Sequence, residues 1–375
     1  MTVDQLRFSF QEGVIFRLRT LFETFGYSLY KMNKFEEYDL YAKNKDFLLS
    51  DSVITFTDFG GKLMALKPDV TLSIVKNTSD DVQSLQKLYY NENVYRVDQG
   101  GHSFKEMKQV GLECIGAVDD FCILEILTLA GHSLKTISNE CILDVSHLGI
   151  LTDVLTSVGI CGSRQDKALR FIAEKNIHEL DAYCISCGVT QGRVQWLNQL
   201  LMCTGSPYMV LPKIRGLLLG NVDIAAIDRM IAVFSALQGS GLEEIFRFDF
   251  SAVDDIRYYN GTVFKGFIHG VPNSVLSGGQ YDRLMQKMYR KSSAIGFAVY
   301  IDRLERLESS ESQFDVDTVL IYDETTPMKS VMAYAGRLRE TGVSVMVQHK
   351  IPQTVRCRQR IEMKNGEVEI FENDA

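Results

Sequence analysis

The chain has 375 residues, 46% of them hydrophobic, with 40 Lys+Arg against 48 Asp+Glu and a net charge of −8. At roughly 150 residues per domain this implies two or three domains with a sizeable core, and it excludes extensive disorder. No basic excess advertises a nucleic-acid partner, and no run of about 18 apolar residues offers a membrane span.

The N-terminus carries Asp4, Gln11 and Glu12 where a secretory signal needs an apolar core, so a cytoplasmic location is expected. Residues 10–25 repeat apolar side chains at helical spacing up to Gly26. Residues 53–58 and 62–66 read as two strands joined at Gly60-Gly61, with a short helix from Thr71 behind Pro68. Residues 88–97 and 104–115 read as a long hairpin with Gly100-Gly101 at its tip. A helix over 121–137 and a strand over 141–144 follow. From 147 to 240 strand-like alternation nearly vanishes, and helices are predicted at 148–158, 165–174, 194–202 and 224–237. Strands resume at 245–250, 262–269 and 275–277, with a helix from Tyr281. Residues 294–307 read as strand or helix, 308–315 as a polar linker, and 318–347 as one strand–helix–strand unit.

This pattern predicts an α+β protein: a core in two parts, 1–146 and 241–308, a helical insertion at 147–240, and a small α/β tail at 316–375. Eight cysteines are scattered through mostly apolar runs, as expected of reduced thiols. Cys184 and Cys187 form one CxxC without a second ligand pair, so they read as helix-face thiols and no metal is expected.

Four segments place polar groups on strand-like backbone: 66–71, 95–98, 109–113, and 257–264 with 277–282. Gln109, Gly111 and Glu113 share one strand face by the period of two. A carboxylate on an inward face needs a partner, which singles out Glu113. Asp69 and Thr71 read equally as a helix cap, Gly278-Gly279 as a plain turn, and Tyr258 and Tyr259 as core aromatics.

Taken in order, these segments resemble the catalytic core of histidyl-tRNA synthetase, a class II aminoacyl-tRNA synthetase fold built on an antiparallel sheet. Residues 25–36 are similar to motif 1, with Asn33 in place of its proline; 95–98 and 109–113 to motif 2; 258–264 to a histidine-specific signature; 278–282 to the following glycine-rich strand; and 296–303 to motif 3. Three departures stand out. Asp254 lies near the place of the signature arginine, with Arg257 displaced by three positions. The motif 2 loop, 99–105, is poor in charge, and the tail is too short for a complete anticodon-binding domain.

A synthetase-like pocket without the ATP and tRNA equipment resembles the ATP phosphoribosyltransferase regulatory subunit family. The resemblance implies a non-catalytic subunit of histidine biosynthesis that needs no cofactor and binds no nucleic acid. It implies a homodimer within a hetero-oligomer, with a short-form catalytic subunit as partner and histidine as feedback effector. It assigns the imidazole to Glu113 and Tyr259, the α-amino group to Asp69 and Thr71, the carboxylate to Gln109, and the pocket lining to Tyr258 and Tyr281. Arg96 and Arg303 match the motif arginines, and stand either as anion contacts or as members of buried salt bridges. The motif 1-like helix, with Phe22 and Phe25, is expected at a twofold interface. The competing readings are an active histidyl-tRNA synthetase and a synthetase paralogue acting on another substrate.

Overall fold

A computed structural model describes residues 9–45, 48, 53–97, 103–218, 222, 224–253, 258–307, 314–350, 355–364 and 367–372. The chain divides into two compact units, Phe10–Leu307 and a smaller one of Met1–Ser9 with Glu308–Ala375.

The larger unit runs α1 (Phe10–Thr24), β1 (Ser28–Leu29), β2 (Phe35–Glu37), α2 (Tyr38–Lys43), β3 (Thr55–Thr57), β4 (Leu63–Leu66), α3 (Thr71–Asn77), β5 (Leu85–Val97), β6 (Phe104–Gly116), α4 (Asp120–Ile137) and β7 (Cys141–His147). Six helices follow: α5 (Leu148–Ser157), α6 (Ser163–Ala173), α7 (Ile177–Ser186), α8 (Gln191–Leu201), α9 (Pro207–Leu217) and α10 (Ile224–Ala236). The unit closes with β8 (Phe246–Phe248), β9 (Thr262–Ile268), β10 (Leu276–Gln280), α11 (Asp282–Lys287), β11 (Ser293–Tyr300) and a 3-10 helix, Ile301–Leu307.

Eight strands form one sheet in the order β1-β5-β6-β11-β10-β9-β7-β8. The six central strands are antiparallel, whereas the edge pairs β1–β5 and β7–β8 are parallel, so the sheet is mixed rather than purely antiparallel. Alternation along β5 and β6 separates two cores. Tyr89, Val110, Leu112 and Cys114 join the large core under α1 and α4. Tyr90, Val94 and Ile115 join a second one with Val70, Tyr281 and Leu284, on the side of the small sheet β2-β4-β3.

Several local readings change. Phe22 is fully buried against Tyr89 and Phe297, with ring centroids 6.1 and 5.9 Å away, so it belongs to the core and is not available to an interface. The helix α9, which contains Pro212, has no counterpart in the predicted pattern, and α7, with its weak apolar repeat, is anticipated only through the helix-face reading of Cys184 and Cys187. Cys184 is buried in α7 and Cys187 follows its last turn, both as free thiols. The ambiguous run 294–307 is strand to Tyr300 and 3-10 helix thereafter. The hairpin tip at Gly100-Gly101 lies outside the described residues, as do Asp254 and Arg257.

The smaller unit holds β12 (Val316–Tyr322), α12 (Met328–Glu340), β13 (Val345–Gln348), β14 (Cys357–Lys364) and β15 (Glu367–Glu372), in the sheet order β13-β12-β14-β15. The last two strands extend the predicted strand–helix–strand unit; their charged alternation, as in Arg358, Arg360, Glu362 and Lys364, hides the strand period.

Gly278 and Gly279 are not a turn; both lie inside β10, paired with β9 and β11. A Cβ at Gly278 would stand 2.4 Å from the Gly296 carbonyl oxygen and 2.4 Å from the Phe297 Cβ. Because backbone rather than a side-chain tip is in the way, Gly278→Ala is expected to destabilise the larger unit by about 1–3 kcal/mol. Urea unfolding followed by Trp196 fluorescence measures it, and an unchanged midpoint would refute the packing argument.

Candidate functional site

One cavity of about 200 Å3 opens on the β5–β6–β11–β10 face, at the small-molecule end of ligand-site sizes. Asp69, Thr71, Gln109, Glu113, Tyr258, Tyr259, Tyr281, Arg96 and Arg303 all line it, although they come from six separate stretches of chain.

Glu113 lies at its floor, on a central strand, with 2% of its surface exposed. The Thr71 hydroxyl donates to its Oε1 at 2.8 Å, and the Tyr281 phenol donates to its Oε2 at 2.6 Å. Gly296 pairs with Glu113 across the ladder, and a Cβ there would sit 1.9 Å from Oε2. A glycine at 296 is therefore what gives the carboxylate its space. Burial pushes the Glu113 pKa up to about 8 despite those two hydrogen bonds, with the nearby Asp69 adding to the rise. Burial and the Glu113 charge also hold Tyr281 far above the usual phenol range, so it stays a donor.

Asp69 does what its sequence context suggested and more. It accepts the Leu72 N–H at 2.8 Å, holding the start of α3, and it lines the cavity. Burial raises its pKa, opposed by that N–H and by Arg96. Tyr258 and Tyr259 stack edge-on with centroids 4.9 Å apart, and Tyr258 leans on Tyr281 at 5.7 Å, giving the cavity an aromatic wall. Gln109 is buried four residues before Glu113 on the same strand face.

Two arginines complete the lining. Arg96 donates to the Pro68 carbonyl at 3.2 Å. Arg303 stacks over the Tyr300 ring at 4.1 Å and donates to the Ser274 carbonyl. Neither makes an ion pair among the described residues, so the buried salt bridges weighed from sequence do not form there. The cavity is thus lined by carboxyl and guanidinium groups together, with Arg96 near enough to Asp69 to oppose the rise of its pKa.

Sequence reasoning gave no site role to Tyr90, Ala298 and Tyr300, and had Ser277 only as part of the polar segment 277–282; all four also line the cavity. The pairings Tyr90–Gly111, Gln109–Tyr300, Gly111–Ala298 and Ser277–Ala298 put them beside the expected residues. Only a strand register, which the sequence does not carry, connects them.

A family model described as histidyl-tRNA synthetase matches residues 7–304. The chain belongs to the histidyl-tRNA synthetase family. Within that family it is similar to the ATP phosphoribosyltransferase regulatory subunit of Oceanobacillus iheyensis, 25% identical over 342 residues that cover 90% of this chain and 84% of the relative. Among solved structures it is similar to an ATP phosphoribosyltransferase regulatory subunit/histidyl-tRNA synthetase from Bacillus halodurans, with a TM-score of 0.80, 24% identity and coverage of 96% of this chain and 97% of that one. The ATP phosphoribosyl transferase (HisG:HisZ) complex from Thermotoga maritima matches with a TM-score of 0.60 and 19% identity over 76% of this chain and 96% of that one. The fold is thereby the class II aminoacyl-tRNA synthetase-like one.

A folded-state pKa above the ordinary 4.5 means that the native protein keeps a proton which the unfolded chain gives up. Glu113 therefore subtracts stability as pH rises from 4.5 to about 8, and the loss is complete above that window. Glu113→Gln keeps the shape and cannot ionise. It is expected to melt a few degrees above the parent at pH 9 and to lose that advantage at pH 5, as read by calorimetry across pH. Equal shifts at both ends would contradict a buried titrating carboxyl.

Proposed function

We propose that this protein is the non-catalytic regulatory subunit of an ATP phosphoribosyltransferase, required by a short-form catalytic subunit, and that it binds free histidine as feedback effector. The observation that carries the reading is the mixed lining of the cavity: the carboxyl groups of Glu113 and Asp69, the guanidinium groups of Arg96 and Arg303, and the aromatic wall of Tyr258 and Tyr259. A zwitterion with a basic, planar side chain complements that arrangement. The regulatory-subunit name of relatives across most of the chain supports the assignment, and the Thermotoga maritima complex supports the partnership.

In this reading Glu113, with Tyr259, receives the imidazole. Asp69 and Thr71 receive the α-amino group, Gln109 the carboxylate, and Tyr258 and Tyr281 close the sides. A protonated Glu113 can hand its proton to the imidazole and form an imidazolium–carboxylate pair, which a neutral amide cannot. The protein works in the cytoplasm as a homodimer inside a hetero-oligomer. Phe22 being core, the dimer contact falls to exposed apolar groups such as Phe35 and Phe56 on the small sheet, whose rings pack at 5.2 Å.

One feature favours the synthetase alternative: Arg96 and Arg303 reach the cavity without a carboxylate partner, as ATP phosphates would require. Histidine-dependent ATP–pyrophosphate exchange separates the two. The regulatory reading expects none, and measurable exchange would establish an enzyme.

The effector role is tested in the reconstituted complex. A charge-assisted hydrogen bond contributes roughly 1.5–3 kcal/mol, so Glu113→Gln should weaken histidine binding by roughly ten- to hundredfold. The variant should still assemble with and activate the catalytic subunit, yet need correspondingly more histidine for inhibition. An unchanged inhibition midpoint would place the effector elsewhere, and loss of assembly would make Glu113 a structural residue.

A further inference from the structure

A buried cation, Lys67, has no part in the proposed function. It follows the end of β4, in the polar segment 66–71, and its side chain is fully enclosed. Its ammonium donates to the Glu92 Oε2 at 2.8 Å. Its backbone is held as well: the N–H donates to the Lys34 carbonyl at 3.1 Å, and the carbonyl accepts the Tyr95 N–H at 2.9 Å. Burial pulls the Lys67 pKa below the usual lysine range, opposed by the hydrogen bond and the charge of Glu92.

Glu92 sits on β5 directly across from Gln109 on β6. Side chains at opposed positions share one face of a sheet, with Cβ atoms about 4.5–5.5 Å apart. Gln109 lines the cavity, so the Glu92 carboxylate, only 17% exposed, is anchored one side chain away from it. Neither Glu92 nor Lys67 lines the cavity itself. The Lys67 charge also reaches Asp69, where it opposes the rise that burial imposes on that carboxyl.

Stability alone gives little reason for such a pair. Desolvating two charges takes back much of what their attraction returns, and apolar residues of similar volume fill such a place as well. The pair has a consequence for a guest instead. An unbalanced carboxylate beside Gln109 would repel an anionic group placed there, and a partly buried setting carries that repulsion across several ångströms. Lys67 cancels it.

We infer that Lys67 is a specificity-determining residue for this cavity: by neutralising Glu92 it lets a carboxylate settle against Gln109, and so favours an amino acid over the corresponding amine. The inference rests on the reading of the cavity as a histidine site with Gln109 at the carboxylate. Lys67 acts through Glu92, as a positioning residue, and leaves the guest untouched.

Calorimetric titration of the full chain with histidine and, separately, with histamine tests this. Histamine keeps the imidazole and the amino group and lacks the carboxylate. Lys67→Met leaves Glu92 unbalanced and should weaken histidine roughly tenfold or more, while histamine holds its affinity or gains. Removing the acid as well, in Lys67→Met/Glu92→Gln, should bring histidine back to within about threefold of the parent. If histamine binds too weakly to titrate, that recovery decides alone. Glu92→Gln by itself keeps the shape and should leave histidine at least as tight as in the parent, which decides the matter if Lys67→Met does not fold. Equal losses of both ligands in Lys67→Met, no recovery in the double variant, or weaker histidine in Glu92→Gln would make the pair a structural tie and overturn the inference, with the histidine reading of the cavity still standing. A parent chain that binds no histidine would instead refute that reading, and this inference with it.

Discussion

A carboxyl group carried into a protein interior loses its hydration, and Glu113 recovers only part of it, through one hydroxyl from Thr71 and one from Tyr281. Much of the surrounding architecture follows from accommodating that group. Gly296 must lack a side chain where the carboxylate lies against the next strand. The α3 start must bring Thr71 to it, which Asp69 arranges by holding the Leu72 N–H. The strand end at Gln280 must turn Tyr281 inward from the head of α11. Three elements distant in sequence are thereby fixed relative to one side chain.

Carboxyl and guanidinium groups in one lining give the cavity a chemical preference as well as a shape. A guest with one charge would leave one set of groups unmatched, whereas a zwitterion engages both. The mixed sheet makes this possible because its central antiparallel strands are rigid and paired on both sides, so the groups they carry hold their places before a ligand arrives. The arginines instead sit where a strand ends and a 3-10 helix begins, or beside Pro68.

Much of this was readable from residues alone, for identifiable reasons. The period of two over 109–113 placed Gln109 and Glu113 together, and α1, α4 and the long hairpin announced themselves by strong periodicity. All nine residues singled out in the sequence line one cavity. The failures share a cause: long-range packing outweighs local pattern. Gly278-Gly279 reads as a turn in any short window; the resemblance to a glycine-rich strand is the better guide, and the proximity of Phe297 and Gly296 is its physical reason. Phe22 lies on the apolar repeat of α1 and is expected at a twofold interface, but Tyr89 and Phe297 close over it. Tyr90 and Tyr300 belong to the cavity through cross-strand register, which no linear spacing encodes.

Gly296 and Glu113 also bear on how such a protein changes over generations. A carboxylate that weakens the fold at neutral pH is kept only while something selects for it. Random drift in a lineage with no use for the ligand would replace it early, since amide or apolar substitutes relieve the buried acid. The glycine opposite would outlast it, because a Cβ there also meets the Leu112 carbonyl oxygen at 2.4 Å. Among relatives of this fold, a glycine at the position of 296 facing a non-acidic residue at that of 113 would thus mark a pocket that has lost its guest, a fossil distinguishable from a working site by two residues.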